Sequence, residues 1–277
     1  VACFSPLSAY KKTGGITFKR SESTGVLIKL PCGQCIGCRI KKSRDWAARC
    51  YHEASLHSEN SFITLTYNNQ NLPHPPELIK IHFQKFIRAL RKKTKKKIRY
   101  FQCGEYGTAT PENGFIARPH YHAILFGHDW PDRVFHSERN KNKLYTSKLL
   151  TDLWGKGFAS TGSVTIESAG YVARYTLKKI TGKAAANHYL RVDPDTGEAI
   201  WLQPEYNTMS LKPGIGYEWF KKYQDDVFPD DFVIIKGKKV GTPRYYTQLL
   251  EKIDPEQYQI IKEQRLKGMK ERAYDNT

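Results

Sequence analysis

The sequence predicts an α+β domain, and two observations carry that prediction. Short β-rich runs such as Ser61–Tyr67 and Pro119–Phe126 are interspersed with segments of helical spacing, as at Phe83, Phe86, Ile87 and Leu90. The two kinds of segment also follow one another irregularly, which favours an α+β arrangement over a doubly wound sheet. At 277 residues the chain can form one large domain or a domain with substantial additions. No internal repeat is visible.

In chain order, residues 1–45 are rich in Gly, Lys and Cys with weak periodicity, and predict a loop-rich arm held by a metal. Residues 46–58 predict a helix and Ser61–Tyr67 a strand; Pro73, Pro75 and Pro76 then mark a loop. A helix from Leu78 runs into a basic stretch. Strands are predicted at Ile98–Cys103 and Pro119–Phe126, a helix at Ser147–Trp154, and a fourth strand near Ser163–Glu167. A helix carrying two tyrosines covers Ala169–Ile180. Beyond residue 182 the pattern changes. Residues 183–214 are mixed, with a turn at Asp193-Pro194-Asp195-Thr196-Gly197; Gly216–Phe228 predicts a helix, Phe232–Val240 a hairpin turning at Lys236-Gly237-Lys238, and Tyr245–Arg272 a polar helix. The expected organisation is a cysteine-rich arm (1–45), a core (46–182) and a mostly helical C-terminal extension (183–277).

The net charge of +18 and pI near 9.5 point to a polyanionic partner, with nucleic acid foremost. No long apolar run or signal-peptide pattern argues for a membrane, so the chain is expected to be soluble and non-exported. It begins with Val1, so a few native residues are expected to precede it. The stretch from Arg88 to Arg99 holds eight basic residues and no acid, including Arg91, Lys92, Lys93, Lys95, Lys96 and Lys97. Such a run suits either a solvated helix end or a track for a phosphate backbone. Phe101, Tyr106 and Trp154 are candidates for stacking on unpaired bases.

Three motifs carry chemistry. In Pro119-His120-Tyr121-His122 the two histidines alternate on a strand, so they share one face about 6–7 Å apart. Two packed histidines would satisfy the pattern, but two imidazoles so placed can also bind one metal ion. Glu105 in Gly104-Glu105-Tyr106-Gly107 can lie beside them on a neighbouring strand. Two imidazoles and a carboxylate do not separate zinc from manganese or magnesium. A basic chain facing a phosphate substrate favours Mg2+ or Mn2+.

Tyr171 and Tyr175 are four residues apart, so a helix presents both on one side. Arg174, Lys178 and Lys179 surround them with positive charge that can gather a phosphate, and Lys178 is a helical neighbour of Tyr175. The third motif, Cys32-Gly33-Gln34-Cys35-Ile36-Gly37-Cys38, repeats the CxxC interval and suits a structural zinc site. Zinc wants a fourth ligand. Cys3 is the choice because it would pin the N-terminal arm; Cys50 and His52 are alternatives, and an iron–sulfur cluster is the competing metal.

Taken together, Cys3-Phe4-Ser5-Pro6, PCGQCIGCR at 31–39, FITLTY at 62–67, YFQCGEYG at 100–107, RPHYHAILFG at 118–127 and YVARYTLKK at 171–179 resemble the replication initiators of gokushovirus-type microviruses. Those are rolling-circle initiators of the two-tyrosine type in the HUH endonuclease superfamily. The resemblance spans roughly residues 3–180, and more weakly Thr242-Pro243-Arg244-Tyr245-Tyr246. It implies a central antiparallel sheet flanked by helices, with the histidines on a central strand and Glu105 as third ligand by its place in the motif. It implies nicking and joining of single-stranded DNA at an origin by Tyr171 and Tyr175 in alternation, through a 5′-phosphotyrosyl link. Lys178 would steady the phosphate or leaving oxygen, with Lys179 as fallback. It further implies a host helicase and polymerase as partners, and action in the host bacterial cytoplasm. One departure is Tyr121, where the family has a plain hydrophobe; it should face the other side of the sheet. The competing functions are a non-catalytic zinc-containing nucleic-acid-binding protein and an HUH transposase. The first would need neither the histidines nor the tyrosines, and single-tyrosine transposases lack the paired YxxxY.

Overall fold

The computed structural model describes residues 3–107, 118–139, 142–175, 185, 188–192, 196–228 and 230–274. The chain divides into two compact units, 1–44 and 45–277.

The first unit is more regular than a loop-rich arm. It forms a three-stranded antiparallel sheet of β1 (Leu7–Lys12), β2 (Gly15–Thr17) and β3 (Leu27–Leu30), in the order β2-β1-β3. Its strands are mostly exposed, so hydrophobic alternation gave little sign of them.

The second unit is built on a seven-stranded sheet. Its strands are β4 (Asn60–Tyr67), β5 (Arg99–Tyr106), β6 (Pro119–Phe126), β7 (Val134–Arg139), β8 (Asn142–Thr146), β9 (Gly157–Gly162) and β12 (Tyr206–Met209). The order is β12-β5-β6-β4-β9-β8-β7, every pair antiparallel. Short strands β10 (Leu190–Val192) and β11 (Ala199–Trp201) pair with each other. The region beyond residue 182 therefore supplies an edge strand to the main sheet and is less purely helical than expected.

Alternation along β4, β5 and β6 divides the core in two. Ile63, Leu65, Tyr67, Tyr121, Ala123 and Leu125 point to one face. There they meet Phe83, Phe86, Ile87 and Leu90 of helix α2 (Lys80–Thr94), and Leu150 and Trp154 of α3 (Lys148–Trp154). Phe101, Cys103, Ile124 and Phe126 point to the other face, against Cys50 of α1 (Ile36–Ala54) and Ala169 and Val172 of α4 (Ile166–Tyr175). Tyr121 faces the α2 side as expected, and its hydroxyl has work there. It accepts from Ile79 N at 3.0 Å, donates to Ile79 O at 3.1 Å and lies 2.7 Å from the Tyr67 hydroxyl, anchoring the start of α2.

The segment expected as a fourth strand, Ser163–Glu167, instead opens α4. Thr165 N donates to Ser168 Oγ (2.8 Å) and Ser168 N donates to Thr165 Oγ1 (3.1 Å), a reciprocal capping pair that starts the helix. The strand itself lies earlier, at β9. Helix α5 (Tyr217–Val227) forms where predicted, as does the hairpin of β13 (Phe232–Ile235) and β14 (Lys238–Gly241). The long polar C-terminal helix is two helices, α6 (Arg244–Ile253) and α7 (Pro255–Tyr274). Pro255 suits the first helical position, and Asp254 Oδ1 accepts from Gln257 N at 2.9 Å.

Two buried knots hold the α1 side. Glu53 pairs with Arg99 and accepts from Gly216 N (2.7 Å), while Arg99 also donates to Pro213 O (2.8 Å). In the second knot His52 stacks on Trp219, ring centroids 3.6 Å apart, and its Nδ1 lies 2.9 Å from the Tyr246 hydroxyl. Arg49 is sandwiched between Trp46 and Tyr245, 3.9 Å from each ring centroid. The Tyr245-Tyr246 pair thus packs α6 against α1.

Burial lowers the His52 pKa to about 3. The unfolded chain, with an ordinary histidine near 6.5, binds more protons between these values, so this contribution to stability is present above about pH 6.5 and lost as pH falls towards 3. Urea unfolding should show a slope of up to about 1.4 kcal/mol per pH unit from this group, and His52→Gln should remove it.

Candidate functional site

The register of β5, β6 and β4 assembles the site. Glu105 sits opposite His120, which sits opposite Thr66; Cys103 sits opposite His122, which sits opposite Thr64. Glu105 and both histidines thus share the α4 face at one end of the central strands. The Glu105 carboxylate lies 2.7 Å from His120 Nε2 and 3.1 Å from His122 Nε2. Glu105 and His122 are buried and His120 is partly open.

The outer nitrogen of each ring is held as well. His120 Nδ1 lies 3.1 Å from Arg118 O, and His122 Nδ1 lies 2.9 Å from Thr64 Oγ1. A carbonyl only accepts, so His120 carries its proton on Nδ1. A neutral His120 then turns the Nε2 lone pair towards a carboxylate oxygen, an arrangement that asks for a cation between them. The three ligand atoms lie within 4.8 Å of one another, and two imidazoles with one carboxylate suit a divalent ion with open positions. Burial alone would push the Glu105 pKa up, but the hydrogen bonds and charges of His120 and His122 outweigh it and hold the carboxyl at about 2.

Tyr171 of α4 borders this cluster. Its ring centroid is 5.3 Å from that of His122 and 6.1 Å from that of Phe62, and the Arg174 guanidinium lies 5.9 Å from it. The phenol is partly exposed, while Ala169, Val172 and Ala173 bury the helix's inner side. Tyr175 is the last described residue of α4. Lys178 and Lys179 lie outside the described residues.

In the first unit Cys3, Cys32, Cys35 and Cys38 bring their sulfurs within 4.8 Å of one another. Cys3 is the fourth member, as expected. Cys50 is buried in the core of the second unit, where His52 stacks on Trp219. The Cys3–Cys32 and Cys3–Cys35 sulfur separations are 3.6 and 3.8 Å, and none of these thiols forms a disulfide. A tetrahedron of sulfurs ~2.3 Å from a central ion has edges of ~3.8 Å, so the group fits a four-coordinate metal. Backbone N–H groups of Cys32 and Cys35 point at Cys3 and Cys32 sulfurs at 3.3 and 3.2 Å. The Cys38 and Phe4 N–H groups lower the Cys35 thiol to about 6, and the Cys32 N–H lowers Cys3, while burial pushes Cys38 up to about 12. N–H donors favour thiolate, the form that binds metal.

The basic run is placed apart from the histidines. Arg99 begins β5 and Glu105 lies six residues along it, a span of ~20 Å. Arg91 donates to Ile98 O (2.9 and 2.6 Å), Lys95 closes α2 at φ 54° and Lys96 pairs with Glu59 (2.7 Å). Lys92, Lys93 and Lys97 are exposed. Two stacking candidates are corrected: Phe101 and Trp154 are buried in the core, so neither offers a face to a base. Tyr106 commits its hydroxyl to Gln203 O (2.8 Å) and Leu78 N (3.2 Å). The aromatic that does stand out near the histidines is Phe158 on β9, which the strand prediction missed.

Fold and site together define an α+β protein with a metal-binding trio on a central antiparallel sheet and a tyrosine beside it. The family model for replication-associated proteins of the ORF2 type matches residues 60–180, which run from β4 past the described end of α4. Replication-associated protein VP4 of Bdellovibrio phage phiMH2K is 34% identical, the match covering 92% of this chain and 79% of the relative. Replication-associated protein ORF2 of Spiroplasma virus 4 is 31% identical over 98% of this chain and 87% of the relative. Replication-associated protein ORF4 of Chlamydia phage 1 is 29% identical over 81% and 54%. The chain belongs to this family of replication-associated proteins from small gokushovirus-type phages. No solved structure matches it. Among the described residues no helix is long and apolar enough to cross a membrane.

Groups that orient a metal-bound imidazole typically matter 10- to 100-fold for metal affinity. Thr64→Val removes the hydroxyl at His122 Nδ1, so Mn2+ affinity measured by isothermal titration should fall by about that factor, with the sheet intact by circular dichroism.

Proposed function

We propose that this protein starts rolling-circle replication of a small circular phage genome, nicking single-stranded DNA at an origin and rejoining it through a 5′-phosphotyrosyl intermediate on an HUH endonuclease-like fold. The observation that supports this best is the packing of Tyr171 against His122, on the sheet face where Glu105 and both histidines converge. Relatives named as replication-associated proteins of small phages point the same way.

In this reading Glu105, His120 and His122 hold Mg2+ or Mn2+. When bound, the ion supplies Lewis-acid polarisation of a non-bridging oxygen of the scissile phosphate. Tyr171 or Tyr175 attacks phosphorus with its phenolic oxygen; the new Tyr–O–P bond forms as the P–O3′ bond breaks. The leaving oxygen takes up a proton and becomes a free 3′-hydroxyl, which can prime a host polymerase. Lys178 steadies the phosphate or the leaving oxygen, with Lys179 as fallback. After one round the second tyrosine cuts the regenerated origin while the first link is resolved by the freed 3′-hydroxyl. A host helicase unwinds the duplex, in the host bacterial cytoplasm. Arg174 and the exposed lysines of the basic run would draw the DNA backbone, and the four cysteines would hold a structural Zn2+.

The test is a covalent adduct. Wild-type protein incubated with labelled single-stranded circular phage DNA and Mn2+ should give a protein–DNA band on a denaturing gel. Chelator or His120→Ala should reduce it to background. Tyr171→Phe and Tyr175→Phe should each leave adduct, and the double variant none. Wild-type protein that forms no adduct on any origin-containing DNA would leave a binding role alone. Separately, the purified protein should carry about one zinc per chain by elemental analysis, and Cys35→Ser should lower that content and the melting temperature together.

A further inference from the structure

Beside the histidine trio lies a cleft of about 630 Å³, lined by Thr66, Asn68, Asn69, Gln70, Arg118 and Phe158 with Tyr67 beneath. It belongs to the same row of the sheet as the trio. Thr66 is the cross-strand partner of His120 on one side and of Phe158 on the other, so Phe158 stands two strands from His120, ~10 Å away. That volume lies within the range of pockets that enclose small molecules.

Three features give the cleft a chemical character. Phe158 is 70% exposed, an unusual state for a phenyl ring in a central part of a sheet. The amides of Asn68, Asn69 and Gln70 offer both donors and acceptors. No carboxylate is among its described lining residues, and Arg118 adds a fixed positive charge, donating to Tyr67 O (2.9 Å) and Asn69 Oδ1 (2.6 Å). Those bonds occupy two of five guanidinium donors.

The walls are also held in place. A Cβ on Gly157 would come within 2.2 Å of Asn68 N and 2.5 Å of Thr66 O, and its φ is +143°, so only glycine lets β9 lie this close to β4. Asn68 N donates to Lys156 O (2.9 Å), and Asn68 Oδ1 accepts from Asn71 N (2.9 Å), bracing the turn that carries Asn69 and Gln70.

We propose that this cleft receives the unpaired nucleobase flanking the scissile phosphate, stacked on Phe158 and hydrogen-bonded along its edge by Asn69 and Gln70. An exposed aromatic, amides and a cation without acids match a base on a phosphate backbone. The assignment of the neighbouring phosphate rests on the proposed nicking activity; recognition of the base is read out without it.

The experiment measures binding of fluorescein-labelled dT20, and of a twenty-residue abasic oligonucleotide with the same backbone, to the full chain. Stacking of one base on an aromatic ring corresponds to roughly 5- to 100-fold in affinity. Phe158→Ala should weaken dT20 binding by about that factor and leave the abasic strand unchanged, while Phe158→Trp keeps dT20 binding. Gln70→Ala should alter base preference in a randomised single-stranded pool. Equal loss on both strands, or no loss on either, would overturn the proposal. Either result leaves the covalent-adduct test untouched, and a failure of that test leaves this one standing.

Discussion

The register between β5, β6 and β4 is the constraint on which the rest depends. Side chains alternate along a strand, so a slip of one residue would turn His120 and His122 to the α2 face and bury them among phenylalanines. Two sets of contacts oppose such a slip. Ile63, Leu65, Tyr67, Ala123 and Leu125 form one continuous apolar face against α2. The Tyr121 hydroxyl, between the two histidines in sequence, is tied to the backbone of Ile79 and to Tyr67. The residue that departs from the family's plain hydrophobe thus clamps the strand from behind while its neighbours face forward.

Electrostatics completes what the register begins. A chain of net charge +18 keeps a buried carboxylate between two imidazoles, whose hydrogen bonds outweigh the cost of its burial. The outer nitrogens of those rings are engaged by a carbonyl and a threonine hydroxyl, so both Nε2 atoms are aimed inward before any ion arrives. The cysteine cluster follows the same logic with softer donors, since backbone N–H groups aimed at sulfur favour the charged form. Each site is organised by its own strands and turns, one in each unit.

Much of this was legible from residues alone, for reasons that differ by element. The histidine pair follows from the period of a strand, and Glu105 from its place in a motif. Cys3 needed only the demand of a tetrahedral ion for a fourth donor. The exposed strands of the first unit were hidden because alternation signals burial, and these strands are little buried. β9 was displaced because Ser163–Glu167 reads as β-prone while its threonine and serine in fact cap a helix. β12 is four residues long, too short for a pattern. The stacking residues went wrong because an aromatic in sequence does not say which face it occupies: Phe101 and Trp154 face the core, and Phe158 does not.

β12 has a consequence for how the chain reaches its final state. Without Tyr206–Met209, β5 would be an open sheet edge, with unpaired N–H and C=O groups free to recruit another chain. The strand that carries Glu105 is covered only by a segment about a hundred residues downstream. A nascent chain therefore synthesises both histidines and the tyrosine helix well before it can shield that edge. Pairing across so large a sequence separation is slow because the loop must close first. The interval is when self-association competes with folding, and a terminal region without any direct part in chemistry would still govern yield in the infected cell.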